Sequence, residues 1–470
     1  MTTWDLIVLG AGPAGIAASI AASEHGLRVV LLDEQHDAGG QVYRALPPEF
    51  AVADASRSPD HRIGDELRGK LAASSATSLF GRRVWLAEPG FTIRAIGPNG
   101  TESHSAPRLI VATGTTERVV PIAGWTLPGV IGLAAATIAL KAQKLLPGHR
   151  TLVAGVGPLV PAVAAAILDG GGTVAMALDL AKPADWLKAI PQLAARPDLL
   201  CRGFGWLAQL KRAGVPVRHG YGVIAVEGAE SVTGARIAAV DSAWRISGAV
   251  EAVACDSVTL GHGLVPSTEV TRLLGADHIY RAEVGGWIPL VDRDLRTSVA
   301  GLYVAGDAAG IAGAAAAVER GRLAGLAAAA DAGAVNKAIL VGPRRAAARA
   351  ARFGSAMALI MAPRPGLLDL VPIEGIVCRC EDVTRAEIEE ALDAGSRDVN
   401  QLKSWTRCGM GPCQGRMCGD MVAELVARRV GSREAAGIFN ARPPLRPVPY
   451  DSLTGAFEYA DLNLPEPAPS

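Results

Sequence analysis

Short apolar runs, each closing on small or acidic residues, recur through the first two thirds of the chain. Leu6–Leu9 is one, followed by Gly10-Ala11-Gly12-Pro13-Ala14-Gly15 and a helix-forming stretch to about Glu24. Gly26 ends that stretch, and Val29–Leu32 is a second run closing on Asp33. Run, glycine turn, helix and run predict a βαβ unit. Residues 45–80 read as a polar helical excursion. Val84–Ile96, with the turn Pro98-Asn99-Gly100, reads as a β-meander that feeds a strand from Leu109 into Ala112-Thr113-Gly114. A second strand–turn–helix unit starts at Thr151. Another strand spans Ser257–Leu260, and Leu302–Val304 leads through Gly306-Asp307 into an Ala- and Gly-rich helix to about Ala330.

Beyond that helix the pattern changes. Residues 331–371 are basic and helical, then proline-bearing, and read as a surface connector. Thr384-Arg-Ala-Glu387 is a capping box; it starts a helix that stops at Gly395, with further helices expected from Val399 to about Trp405 and from Gln414 to Arg429. The expected fold is α/β, with two dinucleotide-type domains and a small all-α unit at the C-terminal end. Residues 1–125 with 290–335 form the first domain, 126–289 the second and 336–371 the connector. Residues 372–430 form the cysteine unit, and 431–470 a proline-rich tail (Pro443, Pro444, Pro447, Pro449, Pro465, Pro467, Pro469): an ordered strap, then a loose end suited to docking on a partner.

The glycine spacings give the first domain its chemistry. A GxGxxG between strand and helix, with an acid about 20 residues on, is a dinucleotide fingerprint. Gly10 makes the tight turn, Gly12 lets a pyrophosphate approach, Gly15 seats the helix on its strand, and Pro13 and Ala14 begin the helix whose amides face the phosphates. Asp33 is the ribose acid, with Glu34 as fallback. Gly39-Gly40-Gln41 suits a chain crossing a pyrophosphate, and Asp307, after Gly306, suits either a ribityl hydroxyl or a plain helix cap. The second unit repeats Gly155-x-Gly157 but has Val160 in place of the third glycine, a departure that argues against a working nicotinamide site; Asp179 ends its next strand. His262, between two glycines, is given no role.

Five of the seven cysteines (Cys378, Cys380, Cys408, Cys413 and Cys418) fall in one stretch with Gly409, Gly411 and Gly415. That pattern gathers thiolates about one inorganic centre, iron–sulfur or zinc. Cys378 and Cys380 are assigned first, then Cys413 and Cys418, with Cys408 as the competing ligand. Arg379, Arg407 and Arg416 are placed to offset thiolate charge. No CxxC lies near the first domain, which argues against disulfide-reductase chemistry.

Composition narrows the rest. Lys+Arg and Asp+Glu are 46 each and aromatics are 4%, which argues against nucleic acid as a partner. An odd cysteine number, mostly in one cluster, is not a disulfide framework. The N-terminus has no basic n-region, and no run of about 20 apolar residues is free of charge. A cytoplasmic protein without an integral membrane segment is expected.

GxGxxG, the second glycine turn, GHGLVPSTE, GLYVAGDAAG and CRCEDVT…TRCGMGPCQGRMC follow in an order that resembles one family. It is the family of FAD/[2Fe–2S] alpha-type subunits of opine oxidase, hydrogen cyanide synthase and proline and D-hydroxyproline dehydrogenase complexes. The first two domains resemble the glutathione-reductase-like flavoproteins, and residues 372–430 the bacterioferritin-associated-ferredoxin-like [2Fe–2S] domain. The resemblance implies an oxidoreductase acting on CH–NH or CH–NH2 donors. An FAD-bearing beta subunit oxidises the amine, and this chain relays the electrons through its own flavin and cluster. It implies a hetero-oligomer. Some members add a small further subunit, with an FMN at the subunit interface, and others hold NAD or ATP in place of FAD. A second reading is a self-contained NAD(P)H-dependent flavoprotein reductase, with hydride entering at Gly155 and Gly157. A third is a non-enzymatic scaffold with a zinc-stapled tail.

Overall fold

The structure, a computed structural model, describes residues 2–47 and 59–453; Pro465, Pro467 and Pro469 lie outside them. A five-stranded parallel sheet organises the first domain, in the order Leu302–Val304, Leu109–Val111, Leu6–Leu9, Val29–Asp33 and Thr77–Phe80. Its central strands are apolar on both faces because both are covered, one by helices and the other by the antiparallel strands of residues 83–105. The helix Pro13–Ser23 lies on one face against the helix Ala314–Asp331. The two approach so closely that a methyl on Gly321 would overlap the Ala14 carbonyl, and one on Gly325 the Ala18 carbonyl. This contact explains why both helices are written in Ala and Gly.

The second domain repeats the plan. Its parallel strands run Val130–Gly132, Ser257–Gly261, Arg150–Gly155, Thr173–Asp179 and Val217–His219. Each domain also carries an antiparallel meander, of which residues 83–105 are the first domain's. Two short strands, Thr115–Glu117 and Leu264–Pro266, pair antiparallel where the chain crosses between the domains. Among the described residues no helix is long and apolar enough to cross a membrane.

The C-terminal third departs from its pattern in two places. The connector helix Val341–Ile360 is not confined to the surface: a methyl on Gly354 would overlap the Ala312 carbonyl, and Ala356, Met357 and Ile360 are buried. In the cysteine unit the Thr384–Glu387 capping box forms as expected and starts the helix Arg385–Asp393. The Cys378 strand pairs with Val383–Thr384 in a small ribbon. The last helix begins at Gly419 rather than Gln414, because Gln414 (φ 52°) and Gly415 (φ 79°) are left-handed and hold residues 413–418 as a turn.

The helix contact between residues 14–18 and 321–325 gives a direct test. Gly321→Leu should lower stability by about 2–3 kcal/mol through overpacking. Gly205→Ala, in a helix where a new methyl meets open space, should gain about 0.5–1 kcal/mol. Denaturant unfolding of the two variants beside the parent checks both signs.

Candidate dinucleotide and thiolate sites

At the first glycine turn the helix Pro13–Ser23 starts from Gly12 with no side-chain cap, so its leading amides face outward without a side-chain acceptor. Gly10 adopts φ 101°, and Gly40 comes so close that a methyl on it would lie 2.8 Å from the Gly12 Cα. Gln41 follows on the surface, where its Oε1 accepts from Arg44 at 3.0 Å. Backbone without side chains, in front of free amides, makes a cradle that fits a pyrophosphate. Asp33 accepts from the amides of Ala11 (2.5 Å) and Gln35 (2.7 Å), and burial raises its pKa. Its carboxylate therefore braces the glycine turn, while Glu34 stays 44% exposed, 3.9 Å from Arg446. Thr113 donates through Oγ1 to the Ser267 carbonyl, and the Gly114 carbonyl accepts from the Ser267 amide, tying this edge to the chain returning from the second domain. Gly306 (φ 72°) abuts Ala14; Asp307 is half-buried and accepts from the amides of Ala312 and Gly313. The Arg320 guanidinium also donates to the Gly306 and Gly310 carbonyls, so the turn is held from both sides.

The second glycine turn is filled. A methyl on Gly157 would lie 2.8 Å from both Cγ and Sδ of Met361, so the methionine that ends the connector helix occupies the space in front of the turn. Val160 packs into the core with Leu133 and Val163. Asp179 is saturated: it accepts from the Gly157 and Ala181 amides and from the Trp186 indole (3.2, 3.0 and 3.0 Å), with His219 Nδ1 at 3.3 Å. That carboxylate raises the His219 pKa. No oxygen is left for a ribose.

All five clustered cysteines come together. The sulfurs of Cys378, Cys408 and Cys418 lie within 4.8 Å of one another and are buried, and Cys380 hydrogen-bonds Cys413. Cys408, expected as the competing ligand, is thus part of the buried trio. The neighbouring thiols and the amides of Gly409 and Glu381 hold the Cys378 thiol far below its ordinary pKa, while those of Cys408 and Cys418 rise. Amides aimed at sulfur and several thiols competing for one negative charge fit a thiolate-bound metal centre. Gly411 is required here, since a methyl on it would overlap the Cys380 Cβ. Of the three flanking arginines, Arg379 stacks over Trp125 and Arg407 pairs with Glu381, while Arg416 bonds Glu269 (2.8 Å) and the Leu445 carbonyl (2.6 Å).

Several residues that position this site escape local sequence patterns. Arg118 bonds Asp420 at 2.6 Å, and Asp420 also takes Arg433; the two arginines hold its carboxyl well below the usual range. Phe439 lays its ring over Gly409 and Gly415, where methyls would lie 2.6 and 2.5 Å from it. Leu445 donates its amide to the Trp85 carbonyl of the first domain (2.7 Å), and Gln414 reaches the Pro444 carbonyl (2.5 Å). The tail segment through Ser452 therefore straps the cysteine turn to its own first domain. The three glycines at 409, 411 and 415 are the signal in the sequence that flat or bulky groups press on this turn.

Residues 4–332 match the pyridine nucleotide-disulphide oxidoreductase family, and residues 376–428 the BFD-like [2Fe-2S] binding domain. The A-type subunit of opine oxidase from Rhizobium meliloti (strain 1021) is 36% identical over 457 residues, covering 95% of this chain and 98% of that protein. Hydrogen cyanide synthase subunit HcnB of Pseudomonas protegens is 31% identical over 470 residues, covering 95% and 97%. The crystal structure of L-proline dehydrogenase from P. horikoshii superposes with a TM-score of 0.70 over 97% of this chain and 80% of that one, at 22% identity, a likeness of fold.

Beside this interface, Glu117 accepts from Ala134 at a helix N-terminus (3.0 Å), yet burial pushes its carboxyl from 4.5 up to about 7. A raised folded-state pKa means stability that is present below the unfolded value and lost as pH rises through the folded one. Glu117→Gln should therefore gain on the parent in melting temperature as pH climbs from 4.5 to 7. Parallel melting curves across that window would contradict the assignment.

Proposed function

Because the chain belongs to the pyridine nucleotide-disulphide oxidoreductases and, among them, to the family of the opine oxidase A-type subunits and HcnB, we propose that it is the electron-relay subunit of a heteromeric, flavin-dependent amine or amino-acid dehydrogenase or oxidase. The substrate class is opine-, proline- or hydroxyproline-like, and its oxidation takes place on an FAD-bearing partner. When bound, a flavin and an iron–sulfur cluster supply two-electron acceptance with a one-electron outlet.

This chain's residues are suited to holding those groups. Gly10, Gly12, Pro13, Ala14, Gly15, Gly40 and Gln41 form the cradle for an FAD pyrophosphate, with Glu34 toward the ribose and Asp33 bracing the turn. Thr113, Gly114, Gly306 and Asp307 border the flavin end. The cluster ligands are Cys378, Cys380, Cys413 and Cys418, with Cys408 in competition. Seven unpaired thiols suit a reducing compartment, and the cytoplasm is the proposed location.

One observation carries the relay reading over a self-contained reductase. Met361 fills the second glycine turn and Asp179 is spent on protein donors, so NAD(P)H has no place where a two-dinucleotide reductase needs it. Electrons must then arrive from another protein.

Anaerobic spectra test this. Excess NADH or NADPH should leave the visible bands of the purified chain unchanged, and an amine substrate should bleach them only when the partner subunit is present. Bleaching by NADH alone would replace the relay with the reductase.

A further inference from the structure

A cavity of about 80 Å³ lies between the crossing strands, the start of the helix Glu269–Leu273 and the cysteine turn. Its polar lining is unbalanced. Four N–H donors without a hydrogen-bond acceptor among the described residues belong to side chains lining it: Arg272 Nε, Trp287 Nε1, Arg433 Nε and Arg416 Nε, the last of which still has the Glu269 carboxylate as an ion-pair partner. Their burial without a partner has a free-energy cost that an acceptor in the cavity would remove.

The charges are unbalanced in the same sense. Arg118 and Arg433 are matched by Asp420 and Glu424, and Arg416 by Glu269. Among the described residues Arg272 finds no ion pair; its acceptor is the Phe439 carbonyl. It is a largely buried cation, and desolvation together with the neighbouring Arg416 lowers its pKa. Glu117, which also lines the cavity, is engaged by the backbone amides that begin the helix Leu133–Ile138 and makes no ion pair with Arg272.

We propose that this cavity is a binding site for one small oxyanion, the phosphate or carboxylate group of a small molecule, held by Arg272 with Trp287 and Arg433 as further donors. Water satisfies the site less well, because it carries no charge to set against the Arg272 guanidinium. An anion adds no hydrogens and neutralises Arg272. The site is separate from the glycine cradle and does not depend on the relay reading.

The test uses the full chain with its first dinucleotide site saturated with FAD, so that phosphate cannot report on the glycine cradle. Inorganic phosphate and acetate are titrated separately against sodium chloride at equal ionic strength, following melting temperature and, for phosphate, the ³¹P line width. At least one oxyanion should stabilise the protein saturably where chloride does not, and which one does so tells a phosphate from a carboxylate source. Arg272→Met should weaken that binding by about tenfold and Trp287→Phe by about threefold, while Arg272→Lys retains part of it. Absence of a saturable effect with both oxyanions, or undiminished binding in Trp287→Phe and in whichever Arg272 variants fold, would overturn the site.

Discussion

The buried ion pair of Arg118 and Asp420 fixes how the three parts of this protein meet. Arg118 follows the strand that crosses between the two dinucleotide-type domains, and Asp420 lies in the first turn of the helix that begins after Cys418. Removing both charges from water is tolerable only if every donor finds an acceptor. Arg118 meets that condition with Asp420 and the carbonyls of His262 and Gly285, and Asp420 with a second arginine, Arg433. Any slide of the cysteine helix against the crossing strands would strand one of these charges. The strap through Phe439 and Leu445 adds a second tie from the other side, so the thiols sit at a defined place relative to the first glycine cradle.

The two dinucleotide-type domains show one architecture used in two ways. Both have a five-stranded parallel sheet, a glycine turn and an acid at the end of the following strand. In both, that acid braces its own turn through backbone amides. What separates them is what stands in front of the turn. Glycine backbone, from Gly40, faces the first, whereas a methionine from the C-terminal connector faces the second. The extension that carries the thiols thus also places a side chain in front of the second glycine turn.

Much of this is legible in the sequence because it is local. Glycines at 10, 12 and 15 and an acid at 33 encode a turn whose requirements are met within one βαβ unit, and Thr384 with Glu387 encodes a helix start within four residues. The convergence of the cysteines follows from their number and the glycines between them. What escapes depends on partners far apart in sequence. Val160 marks the second turn as unusual, but its closure is made by Met361, about 200 residues away. Phe439 sits in a stretch without periodicity, and Arg118 and Asp420 look like ordinary surface charges until the fold brings them together. The start of the last helix differs from expectation for a local reason: helix propensity across residues 414–418 yields to the left-handed conformation the turn imposes on Gln414.

Chemical analysis of the protein purified without oxygen would show whether one working dinucleotide site stands beside one thiolate-bound iron–sulfur centre. Iron, zinc, acid-labile sulfide and adenine-containing nucleotide would be measured per chain. Iron and sulfide are expected in equal amounts, with a single adenine nucleotide and no stoichiometric zinc. Zinc in place of iron, or two nucleotides per chain, would contradict that arrangement.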